Sequence, residues 1–269
     1  FEIVLQITHA GSGSGLIFIT PSNLMMIFRQ QVYIGIIAFG LTLVMLTGNI
    51  DLSQLPQLLC QYLAPLPSKY VKEEVVDRHI DVRPVDEVHT FRKHQATPSA
   101  LTNIYFTAPI AYTAENDLKL NVLSQIMRMV YTEKVREEKG GTYGVSVQGE
   151  MQKFPADEAL LRINFRTDPE KYEELIPIIY EQLDSMAANG PKAEDLQKVK
   201  EYEIKTYGQA VVMNGYWDYV KYNELRNGID FDKDYCKLVE NLTTEDIRQF
   251  CQQLLAPKHR IQVTMLPEQ

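Results

Sequence analysis

The histidines raise the first chemical question, which is whether this chain carries a catalytic metal. A hydrolytic zinc site needs three protein ligands and a water, commonly with two histidines on one helical face and a glutamate as base. No histidine pair has the His-x-x-Glu-His or His-Glu-x-x-His spacing, and His89 and His94 lie in a segment without a helix cap. We interpret that segment as solvated and polar, and we predict no metal ligand in this chain. The histidines are His9, His79, His89, His94 and His259.

Other signatures of catalysis and of polyanion binding are also missing from the sequence. It has no Gly-x-Ser-x-Gly elbow, no phosphate-binding glycine loop and no dinucleotide fingerprint. The formal net charge of -8 argues against nucleic acid and anionic membranes, because an acidic surface releases no counterions from them. The apolar stretch Val32 to Leu46 is shorter than the roughly 20 residues of a membrane-spanning helix. Cys60, Cys236 and Cys251 are odd in number and widely spaced, so we expect ordinary thiols.

The stretch from Val135 to Val147 carries the most specific signal in the chain. A helical pattern ends there, Gly140-Gly141 turns the chain, and an alternating strand pattern follows. Arg136 is therefore predicted at a helix end, and Tyr143 at a strand start seven residues later. A purely structural explanation is also open, because an arginine interacts favourably with a helix C-terminus and a strand tyrosine can pack in the core.

Together with three other segments, this pattern resembles the M16 family of zinc peptidases, the pitrilysin and insulinase family. The half of these proteins that lacks zinc has a helix-ending arginine and, seven residues later, a strand-starting tyrosine, as Arg136 and Tyr143 are spaced here. Thr42 to Leu52 resembles the segment that ends an odd-numbered unit of the family. Asp168-Pro169 and Asn214 to Trp217 resemble two family helices. The similarity covers roughly residues 40 to 266 and is faint before residue 40.

The resemblance implies an architecture of four homologous αβ units, two in each half, with the zinc motif in the first unit. This chain would hold the end of the third unit and the whole fourth unit, with a LuxS/metallohydrolase-like αβ sandwich. It would carry no cofactor and be inactive alone. Zinc would be bound by the N-terminal half of the same protein, and a peptide substrate would lie between the halves.

The same resemblance implies roles for the two residues. Tyr143 would be catalytic and substrate-binding, because a phenol O–H can donate to the oxyanion that develops opposite the zinc. Arg136 would be substrate-binding, because a guanidinium can hold a peptide carbonyl or carboxylate. The family also includes assembly scaffolds without metal, so a non-catalytic scaffold or peptide-binding module stays open as the alternative. Family analogy suggests the bacterial periplasm or cytoplasm.

An internal repeat suggests where the domains lie. Thr20 to Leu24 and Thr243 to Ile247 each begin a helical pattern that leads to an apolar strand. We therefore predict that residues 1–68 are the tail of one αβ unit, that 69–83 are a linker, and that 84–269 are a second, homologous unit.

The second unit has the pattern of an α+β fold. The predicted order β-α-β-β-α-α-α-α-β indicates helices packed on one face of a mostly antiparallel sheet. We expect Ile104 to Ala108 to lie at a sheet edge, where it could bind peptide backbone. Asp168 is predicted as an N-cap, Gly190 as a helix stop, and Thr243 with Asp246 as a capping box. The predicted strands are Leu101 to Ala108, Thr142 to Glu150, Ala159 to Thr167 and Arg260 to Leu266, and the predicted helices begin near Ala114, Asp168, Ala193, Asn214 and Thr243.

Overall fold

The computed structural model describes residues 55–62, 64–65, 84–139 and 144–268, of which 55 and 135–139 by their backbone alone. The chain divides into two units, Phe1–Glu73 and Glu74–Gln269. Helix α1 (Leu55–Tyr62) is the element described in the first unit. The first copy of the predicted repeat, the stretch Val32 to Leu46 and the predicted linker all lie outside the described residues, so these predictions stay untested.

The second unit contains five strands and six helices among its described residues, in the order ββαββαααααβ. In chain order they are β1 (Asp86–Lys93), β2 (Ala100–Ala108), α2 (Ala114–Lys139), β3 (Val145–Gln152), β4 (Glu158–Thr167), α3 (Tyr172–Asn189), α4 (Ala193–Ala210), α5 (Asn214–Asn227), α6 (Tyr235–Asn241), α7 (Thr244–Leu255) and β5 (His259–Pro267).

The five strands form one sheet in the order β1-β5-β2-β4-β3. Only the β1–β5 pairing is parallel, so the predicted α+β fold with a mostly antiparallel sheet is confirmed. The prediction that Ile104 to Ala108 lies at a sheet edge is wrong. β5 pairs with one side of β2 and β4 pairs with the other, which uses the backbone groups that a peptide would need. The described edges of the sheet are β1 and β3.

Helices cover one face of this sheet, and alternation along the strands separates its two faces. In β2 the buried positions include Thr102, Ile104 and Phe106, whereas Leu101, Asn103 and Tyr105, which alternate with them, are partly exposed. The Tyr180 ring of α3 and the Phe106 ring form a T-shaped pair, with 6.2 Å between the ring centroids. We call the partly exposed face, which continues through alternate residues of β3, β4 and β5, the open face.

Two of the predicted helix-end signals are confirmed, and one is wrong. Thr243 and Asp246 form the predicted capping box at α7, and the Gly190 N–H donates to the Met186 carbonyl after α3. The predicted N-cap at Asp168 is wrong, because Asp168 accepts a turn hydrogen bond from Lys171 and the helix begins only at Tyr172. Strand β1 and helix α6 were missed. β1 is mostly exposed and polar, and α6 is only 7 residues long, so neither has a strong apolar period.

Helix α2 packs unusually closely on strand β3. A Cβ atom built on Gly149 would lie 2.5 Å from the Leu120 Cγ and 2.7 Å from the Ser124 Oγ. The neighbouring helix-facing residues Val147 and Met151 are buried. The absence of a side chain at position 149 therefore sets the distance between helix and strand.

We predict that Gly149→Ala destabilises the chain by about 1–3 kcal/mol, because the added methyl group forces helix and strand apart. The measurement is urea unfolding of the full chain. Gly208→Ala is the matched control, since position 208 lies within α4 and has no neighbour within 4 Å of the added Cβ. There alanine should stabilise slightly, by about 0.5–1 kcal/mol, through its helix propensity. Equal effects of the two substitutions would contradict the close-packing argument.

Asp117 lies in the first turn of α2 and provides a second prediction. Burial raises the pKa of its carboxyl group from the usual 3.8 to about 6. A raised pKa in the folded state means that stability is present below about pH 4 and is lost as the pH rises through 6. Asp117→Asn should therefore stabilise the chain by about 1–2 kcal/mol at pH 7, since one pKa unit corresponds to about 1.4 kcal/mol and a first-turn anion also gains from the helix dipole.

The measurement is the free energy of unfolding of both proteins between pH 4 and pH 7. The advantage of Asp117→Asn should disappear near pH 4. Asp195→Asn is the control, because Asp195 also lies in a first helical turn but is 3.7 Å from the Lys198 ammonium group. An advantage that is independent of pH would argue against burial of the charge as its cause.

Candidate functional site

The structure describes only part of the segment on which the predicted site residues lie. Arg136 is helical backbone in the last turn of α2, and its side chain lies outside the described residues. Tyr143 lies outside the described residues as well, between α2 and Gly144. Whether the two side chains share one surface is therefore still a prediction. The structure does describe the helix that precedes these residues and the strand that follows them.

On the helical side, two hydrogen bonds fix α2 shortly before Arg136. The Tyr131 ring is fully buried, and its hydroxyl donates to the Ile179 carbonyl of α3 over 3.0 Å. Burial raises the pKa of Tyr131 well above its usual value, so the phenol stays protonated as a donor. One turn earlier, the Arg128 Nη2 donates to the Val147 carbonyl of β3 over 2.8 Å. These bonds tie α2 to a neighbouring helix and to the strand that follows the candidate site.

On the strand side, β3 begins inside the core. Val145 is 4% exposed and pairs with Phe165 of β4. Two residues further along β4, Thr167 is buried, and its hydroxyl has no hydrogen-bond partner among the described groups. The backbone that follows the predicted site, from Val145 onward, is thus held by packing and by strand pairing.

A functional candidate that sequence analysis missed lies on the open face. Arg162 of β4 stacks over the Tyr105 ring, 5.7 Å from its centroid, and its Nη2 donates to the Asn103 Oδ1 over 3.3 Å. It forms no ion pair with any carboxylate in the part of the chain that the structure describes. The alternating pattern of β4 assigns Arg162 to the exposed side of the strand, but no sequence signal distinguishes it from an ordinary surface arginine.

The described residues include several side chains of the types that bind metals. No group of three or more His, Cys, Asp or Glu side chains within the described ranges could hold a metal ion. His89 lies on β1, where its Nε2 is 2.8 Å from the Glu87 carboxylate, and it is exposed to solvent. His259 begins β5. Within the described ranges, no helix combines the length and apolar character that crossing a bilayer requires.

The aromatic residues around α5 form a structural cluster. The Tyr207 and Tyr216 hydroxyls both donate to the Asp232 Oδ1, over 2.9 and 2.8 Å. Tyr235 stacks on Tyr207 and donates to the buried Glu203, and burial is the largest cause that raises the Tyr235 pKa. These bonds connect α4, α5 and α6, so we assign the three tyrosines a structural role in helix packing.

Comparison with known proteins agrees with this fold. A family model described as "Peptidase M16 inactive domain" matches residues 42–202. The chain is 26% identical over 179 residues to the "Probable zinc protease PqqL" of Haemophilus influenzae, which covers 63% of this chain and 19% of that protein. The chain thus spans about a fifth of that relative's length.

Two solved structures from Escherichia coli are similar in fold. The periplasmic protease PqqL has a TM-score of 0.66 at 16% identity, over 82% of this chain and 24% of that one. The first half of the same protease has a TM-score of 0.62 at 15% identity, over 81% of this chain and 49% of that one.

The anchor at Tyr131 can be tested by removing its hydroxyl alone. Tyr131→Phe should cost about 1 kcal/mol of unfolding free energy, because the ring packing is kept and only the bond to Ile179 is lost. Chemical denaturation of the full chain measures this. Tyr172→Phe is the control, since the Tyr172 hydroxyl donates only to the exposed carboxylate of adjacent Glu173. A loss at Tyr172 as large as that at Tyr131 would count against the anchoring role.

Proposed function

The chain belongs to the M16 peptidase family, and from that membership we propose that it is the zinc-free, carboxy-terminal part of a zinc endopeptidase, in which Arg136 and Tyr143 act on the bound peptide. The observation that carries the proposal is the match of the family's inactive domain to residues 42–202, which include both side chains. The name of the Haemophilus influenzae relative, a probable zinc protease, supports the same reaction class.

The chemistry assigned to Tyr143 is electrostatic stabilisation of the transition state. When a nucleophile adds to a peptide carbonyl, negative charge develops on the carbonyl oxygen, and a fixed O–H donor stabilises that charge more than it stabilises the substrate. The phenol has only two side-chain torsions, and it directly precedes Gly144, next to the buried start of β3. We propose that this short connection supplies the preorganisation that such a donor needs.

The chemistry assigned to Arg136 is positioning of the peptide. A guanidinium is planar and carries several N–H donors, so it can hold a carbonyl or carboxylate in one orientation. Arg136 lies in the last turn of a helix of 26 residues that is bonded both to α3 and to β3. We propose that this anchoring allows the arginine to hold substrate with little loss of its own freedom.

The metal of the proposed enzyme does not fit the described part of this chain, because no suitable group of ligands is present there. We therefore assign zinc to the N-terminal half of the same protein and derive no step through it. A peptide substrate and that half are the proposed partners. The structurally similar Escherichia coli protein is a periplasmic protease, which favours the periplasm as the proposed compartment.

A non-catalytic scaffold is the second candidate function. The matching family model is described as an inactive domain, which favours this function because such a domain can have a structural role without catalysing a reaction. The two functions differ in the upstream sequence: a His-x-x-Glu-His motif with a downstream glutamate supports the enzyme, and its absence supports the scaffold.

The proposal predicts distinct kinetic effects for two substitutions in the full-length protein. Tyr143→Phe should lower kcat by roughly a hundred- to a thousandfold, because it removes one donor that acts chiefly in the transition state. Arg136→Lys should weaken substrate use despite the retained charge, because lysine cannot reproduce the planar fork. Steady-state cleavage of a fluorogenic peptide measures both effects.

Unfolding midpoints of both variants are the control for structural damage. Tyr143→Phe with wild-type kinetics and a wild-type midpoint would refute the catalytic assignment. A loss of activity that parallels a loss of stability would favour the purely structural explanation of the two residues.

A further inference from the structure

Arg162 occupies an unusual position for an arginine. It lies on β4 directly opposite Tyr105 of β2 and Gln148 of β3, in the interior of the sheet and not at its rim. Its side chain is only partly exposed, and it lies flat enough on the Tyr105 ring for a cation–π contact. The hydrophobic part of the side chain is therefore held in place by the sheet, and the charged end has a fixed location.

Within the described residues, the charge of this guanidinium is not balanced. The side-chain hydrogen bond found for it there goes to the amide oxygen of Asn103, and its buried Nε has no partner among the same residues. No carboxylate of the described residues pairs with it, although the chain has 35 acidic and 27 basic residues. A partly buried arginine normally has an anionic partner, because desolvating an unpaired charge is costly. Most of its N–H donors therefore lack a protein acceptor.

We propose that Arg162 binds a carboxylate on the open face, and that this carboxylate belongs to an acidic side chain of the bound peptide. The inference rests on the proposed function, which supplies the peptide. A carboxylate matches the guanidinium fork in a bidentate geometry, with two parallel N–H···O bonds. Tyr105 and Asn103 keep the guanidinium plane fixed, so binding costs little side-chain entropy.

The test uses equilibrium binding to the full-length protein after treatment with a chelator, so that no peptide is cleaved. The probes are fluorescent ten-residue peptides that carry one Glu or, in a matched series, one Gln at successive positions. Wild-type protein should bind one Glu peptide about ten- to a hundredfold more tightly than its Gln partner, as expected for a charged hydrogen-bonded pair. Arg162→Gln should remove this ratio and leave affinity for the Gln peptide unchanged.

Three variants make the result specific. Arg166→Gln is the matched control, because Arg166 is exposed on the same face of the same strand, and it should keep the ratio. Arg162→Lys should keep only part of the ratio, since lysine lacks the fork. Arg162→Glu should reverse it, with preference for a Lys peptide at the same position.

Several outcomes would overturn the proposal. These are equal affinity of wild-type protein for all Glu and Gln peptides, an unchanged ratio in Arg162→Gln, or equal loss of both affinities, which would indicate a structural role. Because binding is measured without catalysis, these outcomes are independent of whether the full-length protein cleaves peptides, which decides the proposed function separately.

Discussion

The close packing of α2 on β3 is the constraint on which the candidate site depends. The helix reaches its distance from the strand only because residue 149 has no side chain, and Arg128 then reaches the Val147 carbonyl. Leu120 and Ser124 contact the late part of β3, whereas Arg128 contacts a residue nearer its start. The helix and strand therefore run in opposite directions, and the end of α2 approaches the start of β3. Tyr143, the predicted catalytic residue at a strand start, lies in the sequence between these two ends.

The two faces of the sheet differ in burial. One face is buried under helices and forms the hydrophobic core, with residues such as Ile104 and Ile163 fully buried. The other keeps partly exposed polar and aromatic side chains, including Arg162 on Tyr105. Among the described residues, the guanidinium of Arg162 on this open face has no carboxylate partner.

Local signals predicted most of the helices, and the sheet only in part. α4 was predicted to begin near Ala193 and begins there, because helix-starting patterns are local in the sequence. The capping box at Thr243 was found for the same reason. β1 was missed because its residues are mostly exposed and polar; it is a strand only because β5, more than 160 residues later, pairs with it. The placement of β2 at an edge failed on the same long-range pairing.

The sequence by itself determined the family resemblance, the identity and spacing of Arg136 and Tyr143, and the capping box at Thr243, since these depend on residue type and local spacing. Only the tertiary structure decided which strands are central, how near α2 comes to β3, and that no described carboxylate pairs with Arg162. The physical reason is that strand order, close approach and charge compensation each depend on groups far apart in the chain. The local sequence pattern does not specify which of these groups meet. The packing of the whole sheet specifies it.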